Sequence, residues 1–239
     1  MRSTLSRVGD IWIAVATAFT IVALTIPLFM NALWVGFEQG RAQATAWTGF
    51  SDAQLAAATN AILGDLVIGP PDFDVAVDGA PVLDERERAH MRDVRGVFAG
   101  FYALTIIGAI GALVIAARRR GEERRATWRA VRAGAIGLIA TLIVGGAIAL
   151  VAFDALFETF HRLFFAGGSY DFDPITEKLV QLFPFQFWQE TAIAVGVVST
   201  LVAGIVAAFA TVRLEGMSPG VASAASQAGS QAAFQDPRS

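Results

Sequence analysis

The chain has 239 residues, a formal net charge of −3 and no cysteine, and 55% of its residues are apolar against 16% charged. Soluble domains usually carry about 25% charged residues. This composition therefore excludes an ordinary soluble domain and indicates an integral membrane protein. The absence of cysteine excludes disulfides, thiol nucleophiles, thiolate metal sites and lipid attachment through a cysteine.

Four apolar segments are long enough to cross a bilayer, which takes about 20 residues of helix. They predict an all-α membrane protein with a single transmembrane domain over residues 1–213, and the spans cover about residues 11–37, 94–117, 130–153 and 191–212. No charge lies in the middle of any of these spans. That pattern argues against an ion channel or a proton-coupled transporter, which need charged groups within the membrane.

The first apolar segment resembles a signal peptide, because it follows two arginines and precedes a cleavage-like Ala42-Gln43-Ala44. Its apolar run is longer than the roughly 7–15 residues of a signal peptide, so we expect it to be retained as a helix. Pro27 and Asn31 in its second half predict a kink.

The loop between the second and third spans predicts the orientation. Residues 118–132 contain seven arginines, and short basic loops face the cytoplasm. Both termini are then cytoplasmic, and residues 38–93 and 154–190 form a small extracytoplasmic cap. Residues 214–239 are rich in Ala, Ser, Gln and Gly, and this composition predicts a disordered cytoplasmic tail.

Local patterns predict short elements within the two outer segments. Ser51 is a candidate N-cap for an amphipathic helix over residues 51–66, and alternating apolar residues around a turn at Asp78 and Gly79 indicate a β-hairpin. Asp173 and Pro174 predict the start of another helix. Residues 154–190 contain eight phenylalanines, which favours an interfacial position.

The chain has two histidines, His90 and His161, and both fall in the predicted outer segments beside a membrane boundary. Residues three or four positions apart share a helix face, so carboxylates flank each ring. A lone histidine in a charged helix is often merely solvated, but two in this setting favour a shared site in which a carboxylate orients each imidazole. The predicted supporting carboxylates are Glu87 and Asp93 for His90, and Glu158 and Asp154 for His161.

Two motifs carry a family resemblance: ERERAHMRDVRGVF, and FHRLFF followed by DFDP and LFPFQFW. Together they resemble the bacterial lipoprotein intramolecular transacylase family, Lit, over roughly residues 85–190. The resemblance implies four transmembrane helices with an extracytoplasmic cap, and it maps the two functional histidines of the family onto His90 and His161. Tyr170 stands where many relatives have a tryptophan.

The resemblance also implies a reaction. The substrate is a diacylglyceryl lipoprotein in the outer leaflet of the bacterial cytoplasmic membrane, and its sn-2 acyl chain moves from the glycerol oxygen to the N-terminal amine of its cysteine. The partners are these lipoproteins and membrane lipid, with no cofactor, metal or nucleic acid.

The residue types suit this acyl transfer. An amine with a pKa of about 8 must lose a proton before it attacks, and the departing glycerol oxygen must gain one. Two imidazoles can supply an acid and a base, with the order left open. The oxyanion that forms needs a donor, and the candidates are the backbone of Gly167, Gly168 and Ser169, or the side chain of Arg92 or Arg162.

Three other functions remain open from the sequence. His90, Asp93 and His161 could bind zinc with an open position, although their spacing is not diagnostic. Ser169 could be the nucleophile of a hydrolase, but no G-x-S-x-G motif is present. A non-enzymatic scaffold or chaperone for exported proteins would suit the aromatic outer segment, and it would not need either histidine.

Overall fold

A computed structural model describes residues 4–217. Residues 218–239, which include most of the predicted tail, lie outside the described residues. The described chain is helical except for one hairpin. In chain order the elements are α1 (Thr4–Thr25), a 3-10 turn (Ile26–Leu28), α2 (Ala32–Arg41), α3 (Ala44–Thr48), α4 (Asp52–Val67), β1 (Ala76–Val77), β2 (Ala80–Pro81), α5 (Glu85–Arg118), α6 (Glu122–Phe164), a second 3-10 turn (Ala166–Gly168), α7 (Lys178–Leu182) and α8 (Phe185–Gly216).

Four helical stretches of the described chain are long and apolar enough to cross a membrane, which confirms the predicted all-α class and the number of candidate spans. They are Thr4–Leu28, Glu85–Arg118, Glu122–Phe164 and Phe185–Gly216. Large apolar side chains on them are exposed, for example Leu104, Leu113 and Leu201. An apolar solvent stabilises such surfaces and water does not, so these helices suit a bilayer.

The first apolar segment is not one continuous helix. Pro27 lies in the 3-10 turn that follows α1, because proline lacks the N–H that a helix interior needs. Asn31 then caps α2, and its Oδ1 accepts hydrogen bonds from Leu33 N and Trp34 N at 3.0 and 3.1 Å. The predicted kink is therefore a complete break, and residues 32–37 belong to a separate helix.

The third long helix is also interrupted. Ala152 in α6 has φ −149° and ψ 42°, which is not helical. The break lies beside Phe153, where the predicted span ends. The part of α6 that follows it carries His161.

The chain forms two compact units, each built from several chain segments. One unit contains residues 22–105 and 141–199, and its core gathers α2, α3, α4, the hairpin and α7 around the fully buried side chains of Ile62, Phe73 and Leu182. Pairing of α3 with α7 and of α2 with α4 brings segments that are distant in sequence together.

Local sequence signals explain two elements of this unit. Ser51 caps α4, as the sequence predicts, and Gln54 completes a capping box, with Gln54 N donating to Ser51 Oγ and Ser51 N donating to Gln54 Oε1. Strands β1 and β2 pair antiparallel around Asp78 and Gly79, whose φ values of 52° and 80° are left-handed. Asp-Gly favours this two-residue hairpin turn, so the predicted hairpin is confirmed.

The helix predicted to start at Asp173 and Pro174 begins later. Asp173 accepts hydrogen bonds from Ile175 N and Glu177 N, which closes a turn rather than a helix. The helix α7 then starts at Lys178. An Asp side chain that bonds the backbone two residues on stabilises a turn in place of a helix.

The second unit contains the described parts of residues 1–21 and 200–239 and residues 106–140. Its helices approach closely at glycine: a Cβ added to Gly134 would lie 2.2 Å from the carbonyl oxygen of Ala14. Asp10 and Arg119 form an ion pair at 2.8 Å, with 7% of the arginine side chain exposed. Small residues at such contacts allow backbones in a membrane to pack together.

Candidate active site

The two histidines lie next to each other within one unit. His90 is in the second turn of α5, and His161 is in the last turn of α6. Their ring centroids are 6.1 Å apart and their planes differ by 20°. His90 is buried, with 6% of its surface exposed, and His161 is half-buried.

Aromatic rings surround both imidazoles. The centroid of Phe165 lies 4.7 Å from that of His90 and 5.4 Å from that of His161. Phe172 packs edge-on against His90 at 5.3 Å, and Phe157 lies 4.1 Å from His161. This apolar environment penalises a charged imidazolium and strengthens the hydrogen bonds that form within it.

The hydrogen bonds of the rings distinguish the two histidines. His161 Nδ1 donates to the carbonyl oxygen of Phe157 at 2.7 Å. A carbonyl can only accept, so the hydrogen of a neutral His161 is on Nδ1 and the lone pair is on Nε2. His90 Nδ1, in contrast, is buried and has no hydrogen-bond partner among residues 4–217.

Glu87 does not contact His90 in the way the helix spacing predicts. Its Oε1 accepts from Leu179 N at 2.6 Å and its Oε2 accepts from Asp84 N at 2.7 Å, while Asp84 Oδ1 accepts from Glu87 N at 2.8 Å. Asp84 and Glu87 thus form a reciprocal cap at the start of α5. The carboxylate links this helix to α7 instead of orienting an imidazole, and Asp93 is exposed.

Glu158 makes no hydrogen bond to His161, but its charge acts to raise the pKa of the imidazole against the larger, opposing effect of burial. Its Oε1 accepts from Arg162 Nε at 2.7 Å and from the Tyr170 hydroxyl at 3.1 Å. The ring of Tyr170 packs against His161 at 5.0 Å between centroids. Asp154 is exposed, and Tyr170 is the side chain that contacts both Glu158 and His161.

Arg86 fastens the segment after α6 onto α5. Its Nε donates to Glu177 Oε1 at 3.1 Å, its Nη1 donates to the carbonyl oxygen of Asp171 at 2.8 Å, and its Cζ lies 4.7 Å from the centroid of Phe172. These contacts hold Phe172 against His90.

The sequence did not predict the contacts of Arg86 and Tyr170, because their partners are distant in the chain. Phe157 and Phe165 lie one turn on either side of His161, so their contacts with it could have been found from helical spacing.

The predicted oxyanion donors differ in what they already bind. Arg92 pairs with Glu85 at 2.7 Å, and Arg162 pairs with Glu158. Gly167 and Gly168 have left-handed φ values of 66° and 77°, so this turn needs glycine at both positions. The adjacent Ser169 Oγ is buried and has no hydrogen-bond partner among residues 4–217.

The zinc alternative predicts three ligands gathered around one point. In the part of the chain that the structure describes, no group of three or more His, Asp or Glu side chains is placed to hold a metal ion. His90 and His161 instead face each other among phenyl rings, with Asp93 exposed.

Comparisons with solved structures identify the fold. The membrane-integral lipoprotein intramolecular transacylase Lit from Bacillus cereus is similar with a TM-score of 0.75 at 16% sequence identity, over 91% of this chain and 100% of that chain. Two variants of the same protein, with one histidine replaced by alanine or by arginine, give TM-scores of 0.67 and 0.65 at 16% identity. They cover 90% and 88% of this chain, and 96% and 92% of theirs.

A comparison with curated proteins finds no similar sequence. The model of the family described as lipoprotein intramolecular transacylase Lit matches residues 11–188, which is well over half of the chain and includes both histidines. The solved structures share the fold over nearly the same length. The chain therefore belongs to the lipoprotein intramolecular transacylase Lit family.

Proposed function

We propose that this protein moves the sn-2 acyl chain of a diacylglyceryl-cysteine lipoprotein to the N-terminal amine of the same molecule. Membership of the Lit family supports a transacylase that acts on lipoproteins. The observation that carries the specific reaction is the pair of imidazoles at 6.1 Å in an aromatic pocket. Because the amine and the ester belong to one molecule, binding needs only to bring them into line.

His161 is the base. Its Nδ1–H is held by the carbonyl of Phe157, which leaves Nε2 free to take a proton from the attacking amine. The hydrogen bond also fixes the plane of the ring, in the way that an orienting group fixes the base of other acyl-transfer enzymes. The amine nitrogen then forms its bond to the sn-2 carbonyl carbon.

His90 is the hydrogen-bond donor to the departing glycerol oxygen. A neutral imidazole carries one N–H, which can hydrogen-bond to the glycerol oxygen as its bond to the carbonyl carbon breaks. The proton taken up by His161 completes the transfer to this oxygen. Counted from the neutral amine, which has already released its first proton to solvent, the nitrogen loses one proton to His161, the glycerol oxygen gains one, and both histidines end neutral.

Ser169 is the oxyanion donor that this mechanism favours. Its buried hydroxyl has no partner among the described residues, whereas Arg92 and Arg162 are already paired with carboxylates. A preorganised donor at the developing negative charge is worth about 3 kcal/mol of barrier in comparable sites.

The reaction takes place at the extracytoplasmic face of the bacterial cytoplasmic membrane. The arginine-rich loop at residues 118–132 supports cytoplasmic termini, and the histidines lie at the opposite ends of α5 and α6 from that loop. The outer leaflet then supplies the lipoprotein, and the aromatic segment after α6 lies among its headgroups.

Expression in a bacterial host that lacks lipoprotein N-acylation tests the proposal. Mass spectrometry of lipoprotein N-terminal peptides is expected to show an amide-linked chain and a lyso-glyceryl group. His161→Gln and His90→Gln are each expected to lower conversion by at least about 100-fold, while Thr159→Ala, on the same turn as His161, keeps it. Unchanged diacyl peptides with a free amine would refute the assignment, and full conversion by both histidine variants would refute the imidazole pair as the acid and base of the reaction.

A further inference from the structure

A basic groove lies in the other unit, between the start of α6 and the end of α8. Its volume is about 280 Å³, and it is lined by Arg125, Arg129, Arg132, Thr211, Leu214 and Glu215. The three arginines are spaced four and three residues apart, so they share one face of α6. None of these residues takes part in the proposed reaction.

Positive charge dominates the lining of the groove. Arg129 and Arg132 have no hydrogen-bond or ion-pair partner among residues 4–217. Glu215 supplies the single carboxylate in the lining, against three guanidinium groups. A guanidinium presents a planar fork of N–H donors that matches phosphate oxygens, so paired arginines favour a phosphate over a simple halide.

Aromatic side chains place this groove at a membrane boundary. Trp128 packs edge-on against Phe209 at 5.6 Å, and Arg213 Cζ lies 4.8 Å from the Phe209 centroid and 5.9 Å from that of Trp128. Tryptophan is enriched at the headgroup level of bilayers. Further into the predicted spans Ile136 and Ile205 are exposed, at 51% and 69%, and provide an apolar surface for acyl chains.

We propose that the groove binds the phosphate headgroup of an anionic phospholipid, whose acyl chains lie along α6 and α8. Charge, shape and position each support this ligand: the guanidinium groups of Arg129 and Arg132 meet the phosphate, and the exposed apolar residues meet the chains. Basic pockets between transmembrane helices on the cytoplasmic side bind such lipids by the same chemistry.

Native mass spectrometry of the delipidated full chain in detergent tests the proposal, with palmitoyl-oleoyl phosphatidylglycerol and the matching phosphatidylcholine as probes. We expect one phosphatidylglycerol to bind at least about tenfold more tightly than phosphatidylcholine. The double variant Arg129→Gln with Arg132→Gln is expected to weaken it by about 30-fold, at roughly 1 kcal/mol for each arginine.

The controls separate a specific site from general charge attraction. Arg120→Gln with Arg124→Gln removes the same charge from the same region, outside the groove, and is expected to change binding less than about threefold. Arg129→Lys with Arg132→Lys keeps the charge and is expected to retain the preference for the anionic lipid.

Equal binding of the two lipids, or equal losses in the two double glutamine variants, would overturn the proposal. Displacement of phosphatidylglycerol by inorganic phosphate at the same concentration would also overturn it, because the site would then take a soluble anion. Lipoprotein processing by the glutamine variants is measured separately, so failure of this inference and failure of the proposed function remain distinguishable.

Discussion

Replacement of Glu87 tests whether its carboxylate stabilises the fold or takes part in catalysis. The side chain is buried, with 2% exposed, and accepts one backbone N–H with each oxygen, from Asp84 and from Leu179. Glu87→Ala leaves both donors without an acceptor, at about 1–3 kcal/mol each. The expected loss is about 4 kcal/mol, or roughly 8–16 °C in Tm for a chain of this size.

Glu87→Gln is expected to lose about half as much. Its single carbonyl oxygen keeps one of the two bonds, and the loss of a charge that is costly to bury offsets part of the damage. The assay is thermal unfolding of the purified protein in detergent, followed by tryptophan fluorescence. Glu85→Gln, two residues away and exposed, is the matched control and should change Tm by no more than about 1 °C.

Activity decides between the two roles. At a temperature well below its lowered Tm, the Glu87→Gln variant is expected to convert lipoprotein at a rate within about threefold of that of the parent. The reason is that the Glu87 carboxylate of the parent makes no hydrogen bond to His90. A stable variant with a loss of about tenfold or more would refute this reasoning and restore Glu87 as the group that orients the imidazole.

Three further predictions follow from buried groups elsewhere. Burial raises the pKa of Glu38 from 4.5 to about 7, and its hydrogen bond to Glu190 contributes to this rise. The folded state therefore binds a proton that the unfolded state has lost, so the stability of the fold is expected to fall as pH rises from about 4.5 to 7. Glu38→Gln is expected to raise Tm at pH 8 but not at pH 5 in the same fluorescence assay. Arg119→Gln removes the ion pair with Asp10 and is expected to cost about 3–5 kcal/mol in a chemical unfolding titration, and an unchanged midpoint would show that the pair does not stabilise the fold. Gly134→Ala forces α1 away, because its Cβ would lie 2.2 Å from a backbone oxygen, and is expected to lower Tm by several degrees in a thermal scan, whereas Gly137→Ala has open space and should not.

The candidate site could be predicted only in part. The two histidines are rare residues with a recognisable sequence context, so they could be identified from residues 85–190 alone. The hydrogen-bond partners of Glu87 could not be assigned, because helical spacing fixes which residues share a face but not which partner a carboxylate binds. Glu87 lies one turn from His90, yet its oxygens bind the start of its own helix and a backbone N–H 92 positions away.

The sequence by itself determined the features that depend on neighbours in the chain. Hydropathy identified four candidate spans, Ser51 and Gln54 specified a helix start, and Asp78 and Gly79 specified a hairpin turn, because each signal acts within a few residues. Only the tertiary structure decided that His90 and His161 stack, that Arg86 holds Phe172 on the site, and that Tyr170 links Glu158 to His161. These contacts join chain segments whose separation carries no local signal, and packing of the aromatic core selects them.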